Sequence, residues 1–359
     1  MLYNREIYSR KRAIMPKRVQ YIDIAKGIGI LLVVLGHNDL QAYHPMLYRF
    51  IYAFHMALFF FLSGIFFKPE RSFKEIFTRR SKTLIKPLIF ALLMIYGISV
   101  FFGKMSFAMA FQRLLKSLYM TGPYLNWVQL WFLPVLFLIN LYAFFFYRGT
   151  NFLPKNWMRW LVLVITLWIG TLWLPYMWTF DFTIFGRTFS TYGLPASVDL
   201  VLLGGFYFIL AREVYRQLPE SFFTSKITFI TSAVILFGIV FTLDIPVDFN
   251  TRLYTSWTLN TIEAIAGIIF ILSLSRQIEL YSEMATRFFS YIGNLTLTIL
   301  VFHVPIQEMV NNKVSVYLGQ NDLTVLIAFL SGVFIPVFIH EFFIAPNQKV
   351  GAWFGLSST

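Results

Sequence analysis

The chain has 359 residues, of which 58% are hydrophobic and 13% charged, and its mean hydropathy is +0.66. These values exclude an ordinary soluble domain and indicate a polytopic membrane protein; the absence of cysteine excludes disulfides and thiol catalysis. The net charge of +13 would suggest nucleic acid in a soluble protein, but here the positive-inside rule and anionic headgroups account for it, so membrane lipids and no nucleic acid are the expected partners.

Residues 1–20 form a basic arm with Arg5, Arg10, Lys11, Arg12, Lys17 and Arg18. Ten apolar segments follow, read at 22–40, 47–67, 85–102, 127–147, 157–174, 195–211, 227–243, 258–274, 288–308 and 323–344. Segment three starts at Pro87, and Pro336 should kink segment ten. The first segment has no small-residue cleavage site and carries Lys26 and His37, so it reads as a retained helix rather than a signal peptide. The fold class expected is therefore all-α, with about ten transmembrane helices, a transmembrane domain over 21–345 and a tail over 346–359.

Orientation follows from Lys and Arg. With the N-terminus in the cytoplasm, 22 of the 30 fall in cytoplasmic segments and six in outer loops, so both termini should be cytoplasmic. The outer loop 103–126 has the pattern of a short interfacial helix around residues 107–119. Loop 68–86, KPERSFKEIFTRRSKTLIK, reads either as a topology anchor or as a phosphate-binding surface carrying Arg79 and Arg80.

That topology ranks the buried polar residues by depth. His37, His55, Asp199, Glu263 and His303, from five different segments, all fall in the outer half of the membrane. Each must be paired or hydrated there, which a purely structural protein has little use for. Lys26 and His37 are eleven residues apart, an offset of about 20° and a rise of about 16 Å, so they share one helix face. Asp23 sits one turn before Lys26, and the plain reading is that this pair marks the water interface. A neutral imidazole can take the proton of an attacking hydroxyl, and a carboxylate on its other nitrogen can fix its tautomer. His37 is the candidate base, with Glu263 or Asp199 as the candidate orienting carboxylate. There is no G-x-S-x-G elbow, so a serine acyl-enzyme is not expected.

Four stretches, in order, resemble the signatures of the membrane acyltransferase-3 family. These are YIDIAKGIGILLVVLGH at residues 21–37, FHMALFFFLSG at 54–64, LWFLPVLF at 130–137 and FFSYIGNLTLTILVFHVPI at 288–306. Lys26 stands where many members have arginine, and the lysine resembles the fucose 4-O-acetylase-like branch; Ala57 stands where many have proline. The resemblance implies an O-acyltransferase moving an acyl group, usually acetyl, from cytoplasmic acyl-CoA to a hydroxyl of a cell-envelope polysaccharide or glycolipid. It implies His37 and His303 as catalytic residues, joined by Glu263. Lys26, Asp23, His55, Asp199, Arg79 and Arg80 are the substrate-binding candidates. Acetyl-CoA or another acyl-CoA would be a donor substrate, with no bound cofactor and no metal, in a multi-pass protein of a bacterial plasma membrane. The rival reading is a transporter or flippase of a lipid-linked glycan, since buried His and Glu also make proton relays. Against it, no internal repeat is visible in the sequence.

Overall fold

The structure is a computed structural model and describes residues 19–38 and 40–355. Of the basic arm, only Val19 and Gln20 lie within the described residues. The chain begins with α1 (Gln20–Gly36), α2 (Pro45–Tyr52) and α3 (His55–Gly64). Next come α4 (Phe73–Arg80), α5 (Lys86–Phe101), α6 (Phe107–Ser117), α7 (Phe132–Thr150) and α8 (Asn156–Leu172). A hairpin of β1 (Phe180–Ile184) and β2 (Arg187–Thr191) leads to α9 (Val201–Tyr215) and α10 (Lys226–Thr242). The short pair β3 (Val247–Asp248) and β4 (Leu253–Tyr254) precedes α11 (Leu259–Tyr281). The last elements are α12 (Glu283–Asn294), α13 (Thr296–Leu318), α14 (Asp322–Ile339) and α15 (Gln348–Gly351).

Helices dominate because a chain in hydrocarbon must satisfy its own backbone hydrogen bonds. The helix starts are written locally: Ser72 and Glu75 form a reciprocal capping box on α4, and Ser106, Ser225, Ser282 and Asn321 cap α6, α10, α12 and α14. Among the described residues, five helical stretches are long and apolar enough to cross a membrane, or six if the bent pair α12–α13 counts as one span. The helices at the other expected segments are shorter. At 17 residues, α1, α8 and α10 would each reach about 25 Å, against a hydrocarbon core of about 30 Å.

The expected segments need four corrections. Segment nine is not a single helix, because α12 and α13 meet at 77° across Leu295. Segment three does not start at Pro87: a continuous rod, Phe73–Phe101, runs through it. A π-helical turn at Ser81–Ile85, in which the Lys86 N–H reaches the Ser81 carbonyl, widens the helix just before the proline and lets the rod pass. Two small hairpins interrupt the loops before α9 and α11, for which no strand was expected. Finally, the tail is folded back. Lys86 Nζ donates to the Ala352 carbonyl at 3.0 Å, and the Phe354 ring lies against Phe90 and Phe302. The interfacial helix expected in loop 103–126 is α6, which exposes Phe107, Phe111 and Leu115 along one stripe.

Two glycines bring α12 against α1 just before the bend at Leu295. A Cβ on Gly27 would lie 2.1 Å from the Phe289 carbonyl oxygen, and one on Gly293 would lie 2.0 Å from that of Asp23, so α1 and α12 touch backbone to backbone. Gly293→Ala should therefore lower the melting temperature of the detergent-solubilised protein sharply. Gly97→Ala, with nothing within 4 Å of the added carbon, should be neutral or raise stability by up to about 1 kcal/mol. Equal melting of the two variants would mean that the α1–α12 contact contributes little.

Candidate active site

His37 is the residue on which the surrounding elements converge. It caps the C-terminal end of α1, its own N–H closing on the Val33 carbonyl at 3.1 Å. The preceding residues of its stripe, Lys26, Ile30 and Val33, recur at spacings of four and three and share its face. Ile30, Val33 and His37 line an inner cavity of about 30 Å³. Met56 and Phe59 of α3 close it from one direction, and Gln129, Trp131 and Phe132 at the start of α7 close it from another. Thr296 and Leu300, just past the 77° bend, complete the wall. All four sequence signatures thus contribute side chains to one cavity. His37 also lines a second cleft of about 470 Å³, together with Asn38, Gln41, Tyr48 and Tyr52, on the side that the Lys/Arg distribution would make the outer one.

His303 faces His37 from α13, with ring centroids 5.3 Å apart and planes tilted by 57°. It is fully buried, and its Nδ1 lies 2.9 Å from the Ile299 carbonyl and 3.0 Å from that of Leu300. Carbonyls only accept, so Nδ1 carries the hydrogen and Nε2 is left as a lone-pair acceptor. That Nε2 is buried without a hydrogen-bond partner. His55 is held in the same way, its Nδ1 donating to the Ile51 carbonyl at 2.9 Å, and its ring abuts Tyr52 at 4.7 Å. His37 is within electrostatic range of both His55 and His303, so the three imidazoles form one group.

Two glutamines that the sequence reading did not single out hold this group together. Pro305 has no N–H, so the Val301 carbonyl one turn back lacks its helical partner. Gln129 supplies one, Nε2 donating at 3.0 Å, and this ties the start of α7 to the turn below His303. Gln307 Nε2 donates at 2.9 Å to the Val34 carbonyl in the last turn of α1, which ties His37's helix to His303's. The proline inside segment nine was a usable signal for the first of these contacts. The second depends on tertiary placement alone.

The remaining candidates separate into groups. Asp23 and Lys26 pair with each other at 3.0 Å, with Lys26 one-third exposed. Arg79 lines a basic cleft of about 580 Å³ with Arg71, Lys74 and Lys82, whereas Arg80 does not. Lys82 is a member that the sequence reading passed over. Asp199 is engaged away from His37 through both oxygens, and Glu263 through one. The oxygens of Asp199 accept from Arg252 Nε at 2.7 Å and Nη2 at 3.2 Å and from the Leu194 N–H at 2.9 Å. Both side chains of this ion pair are fully buried. Glu263 accepts from Asn260 Nδ2 at 2.7 Å, and the same amide donates to the Ile245 carbonyl at 2.9 Å, so Glu263 helps hold Asn260 on the loop before α11.

The fold and this site define a helical membrane protein whose buried polar chemistry is gathered at the end of its first helix. The family model described as an acyltransferase domain matches residues 19–341, so the chain belongs to the acyltransferase-3 family and is a membrane acyltransferase. No curated protein and no solved structure matches it significantly.

Proposed function

We propose that the protein is an O-acyltransferase that moves an acyl group, acetyl in the first instance, from cytoplasmic acyl-CoA to a hydroxyl of a cell-envelope polysaccharide or glycolipid. The observation that carries this reading is that His37 lines both the inner cavity and the outer cleft. A donor that approaches along the Lys26 stripe and an acceptor that approaches from the outer cleft would meet at one imidazole. The cation-lined cleft around Arg79 and Lys82 suits the donor's nucleotide phosphates. In the reaction the acceptor oxygen attacks the thioester carbon, forming the new C–O bond as the C–S bond breaks. His37 takes the hydroxyl proton and returns it to the departing sulfur as a thiol. His303, its tautomer fixed by two carbonyls, keeps an unpartnered Nε2 lone pair on a ring whose centroid lies 5.3 Å from that of His37. Incubating purified protein with labelled acetyl-CoA and candidate glycans should yield labelled glycan; labelled donor left intact with every acceptor class would overturn the assignment.

The reading also requires the topology drawn from the Lys/Arg distribution. A cysteine at Lys155, between α7 and α8, should resist an impermeant maleimide in intact cells. One at Arg187, on the exposed β2 strand, should react. The reverse pattern would invert the bundle and place the donor cleft outside.

A further inference from the structure

The inner cavity has a size as well as a position, and the size carries a conclusion about the substrate. Its volume is about 30 Å³, room for about two water-sized bodies and so for the bulk of a two-carbon acyl group. It lies beside His37 on the stripe that leads up from Lys26, where the acyl end of a donor anchored in the cytoplasm would finish. Most of its wall is apolar: Ile30, Val33, Met56, Phe59, Phe132 and Leu300. These side chains are held by the bundle. Ile30 is completely buried, Phe59 and Phe132 are almost so, and their rings meet edge to face at 6.1 Å. Well-packed interiors do not yield a methylene of extra room without forcing side chains off their rotamers.

We infer that this cavity is an acyl-length gauge, in which Met56, Phe59 and Phe132 admit a two-carbon acyl group beside His37 and exclude longer ones. The inference rests on the acyltransferase reading above and adds the identity of the residues that set the donor's acyl length. The rival occupant is a single water hydrogen-bonded to Gln129, whose Oε1 is buried and has no donor. A water site would make selectivity independent of the side chains that line the cavity.

The test uses the full-length purified protein and measures equilibrium binding of free CoA, acetyl-CoA, butyryl-CoA and hexanoyl-CoA. Thiol release is followed in parallel, which the absence of cysteine makes free of background. The parent should bind acetyl-CoA more tightly than butyryl-CoA by tenfold or more, in line with the discrimination that one or two methylenes bring. Met56→Ala, which removes a half-buried flexible side chain, should reduce that ratio about tenfold, with affinities normalised to free CoA. Phe59→Leu keeps the position apolar and guards against a folding defect in a single variant; it should act in the same direction. Val33→Leu adds bulk and should lose acetyl-CoA affinity specifically. An unchanged acetyl-to-butyryl ratio in both enlarging variants, with the parent still transferring acetyl, would overturn the gauge and leave the acyltransferase reading standing. A parent that binds free CoA and all three thioesters equally and releases no thiol would overturn both.

Discussion

His37→Gln should cut acyl transfer by roughly 10²–10⁴, the range associated with losing a general base, which corresponds to roughly 3–5 kcal/mol of barrier. The amide can occupy the same space and hydrogen-bond, but it cannot accept the proton from the attacking hydroxyl. The fold should survive, since the end of α1 is tied down by Gln307 on the Val34 carbonyl and not by the His37 side chain. Gln129, Gln307 and the backbone bonds of His303 are likewise independent of it. The measurement is turnover per monodisperse protein, with labelled acetyl-CoA and glycan. Parental turnover in a well-folded His37→Gln protein would remove His37 from the mechanism. The buried lone pair of His303 would then be the next base to test.

Asp199→Asn should destabilise the protein by about 3–5 kcal/mol, because it leaves the Arg252 guanidinium buried without a counter-charge. The geometry around that pair leaves little room to relax. Arg252 itself adopts a left-handed backbone with φ of 60°, and Ala196 and Ser197 do so at 54° and 52°. Gly193 comes so close that a Cβ would lie 2.2 Å from Arg252 Nη2. The double replacement Asp199→Leu with Arg252→Met should recover much of the loss, since an apolar pair carries no desolvation cost. Thermal unfolding in detergent checks both. If Asp199→Asn instead melted like the parent but lost transfer, Asp199 would belong to the acceptor site, as its depth in the sequence suggested.

The chemistry-bearing positions were legible because polar residues inside apolar runs are costly and therefore visible. His37 and His303, read from different segments, do stand 5.3 Å apart. Partnership was not readable in the same way. Asp199 and Glu263 were read at the same depth as the histidines, but Asp199 is engaged by Arg252 from a loop and Glu263 by Asn260 in the first turn of its own helix, pairings with no hydropathy signature. The bend at Leu295 escaped for a related reason. Apolar windows measure transfer to lipid and do not register two glycines that bring backbones into contact. Gln129 and Gln307 were passed over because a lone amide beside or within an apolar run looks unremarkable until the carbonyl it must serve is known. Arg79 and Arg80 are neighbours in sequence but point about 100° apart around the helix, and only Arg79 reaches the cation-lined cleft.

The folded-back tail has a consequence for the order of assembly. Phe354 touches both Phe90 near the start of α5 and Phe302 next to His303, and Lys86 covers the Trp353 ring while bonding the Ala352 carbonyl. Residues 352–354 leave the ribosome after both of those helices have been made. The aromatic bridge between them is therefore missing throughout insertion, and the surroundings of His303 are completed only after translation has passed it. Until then, α5 and α13 in the bilayer are free of this tie, and a translocon or insertase would handle a bundle whose candidate site is not yet closed on that side.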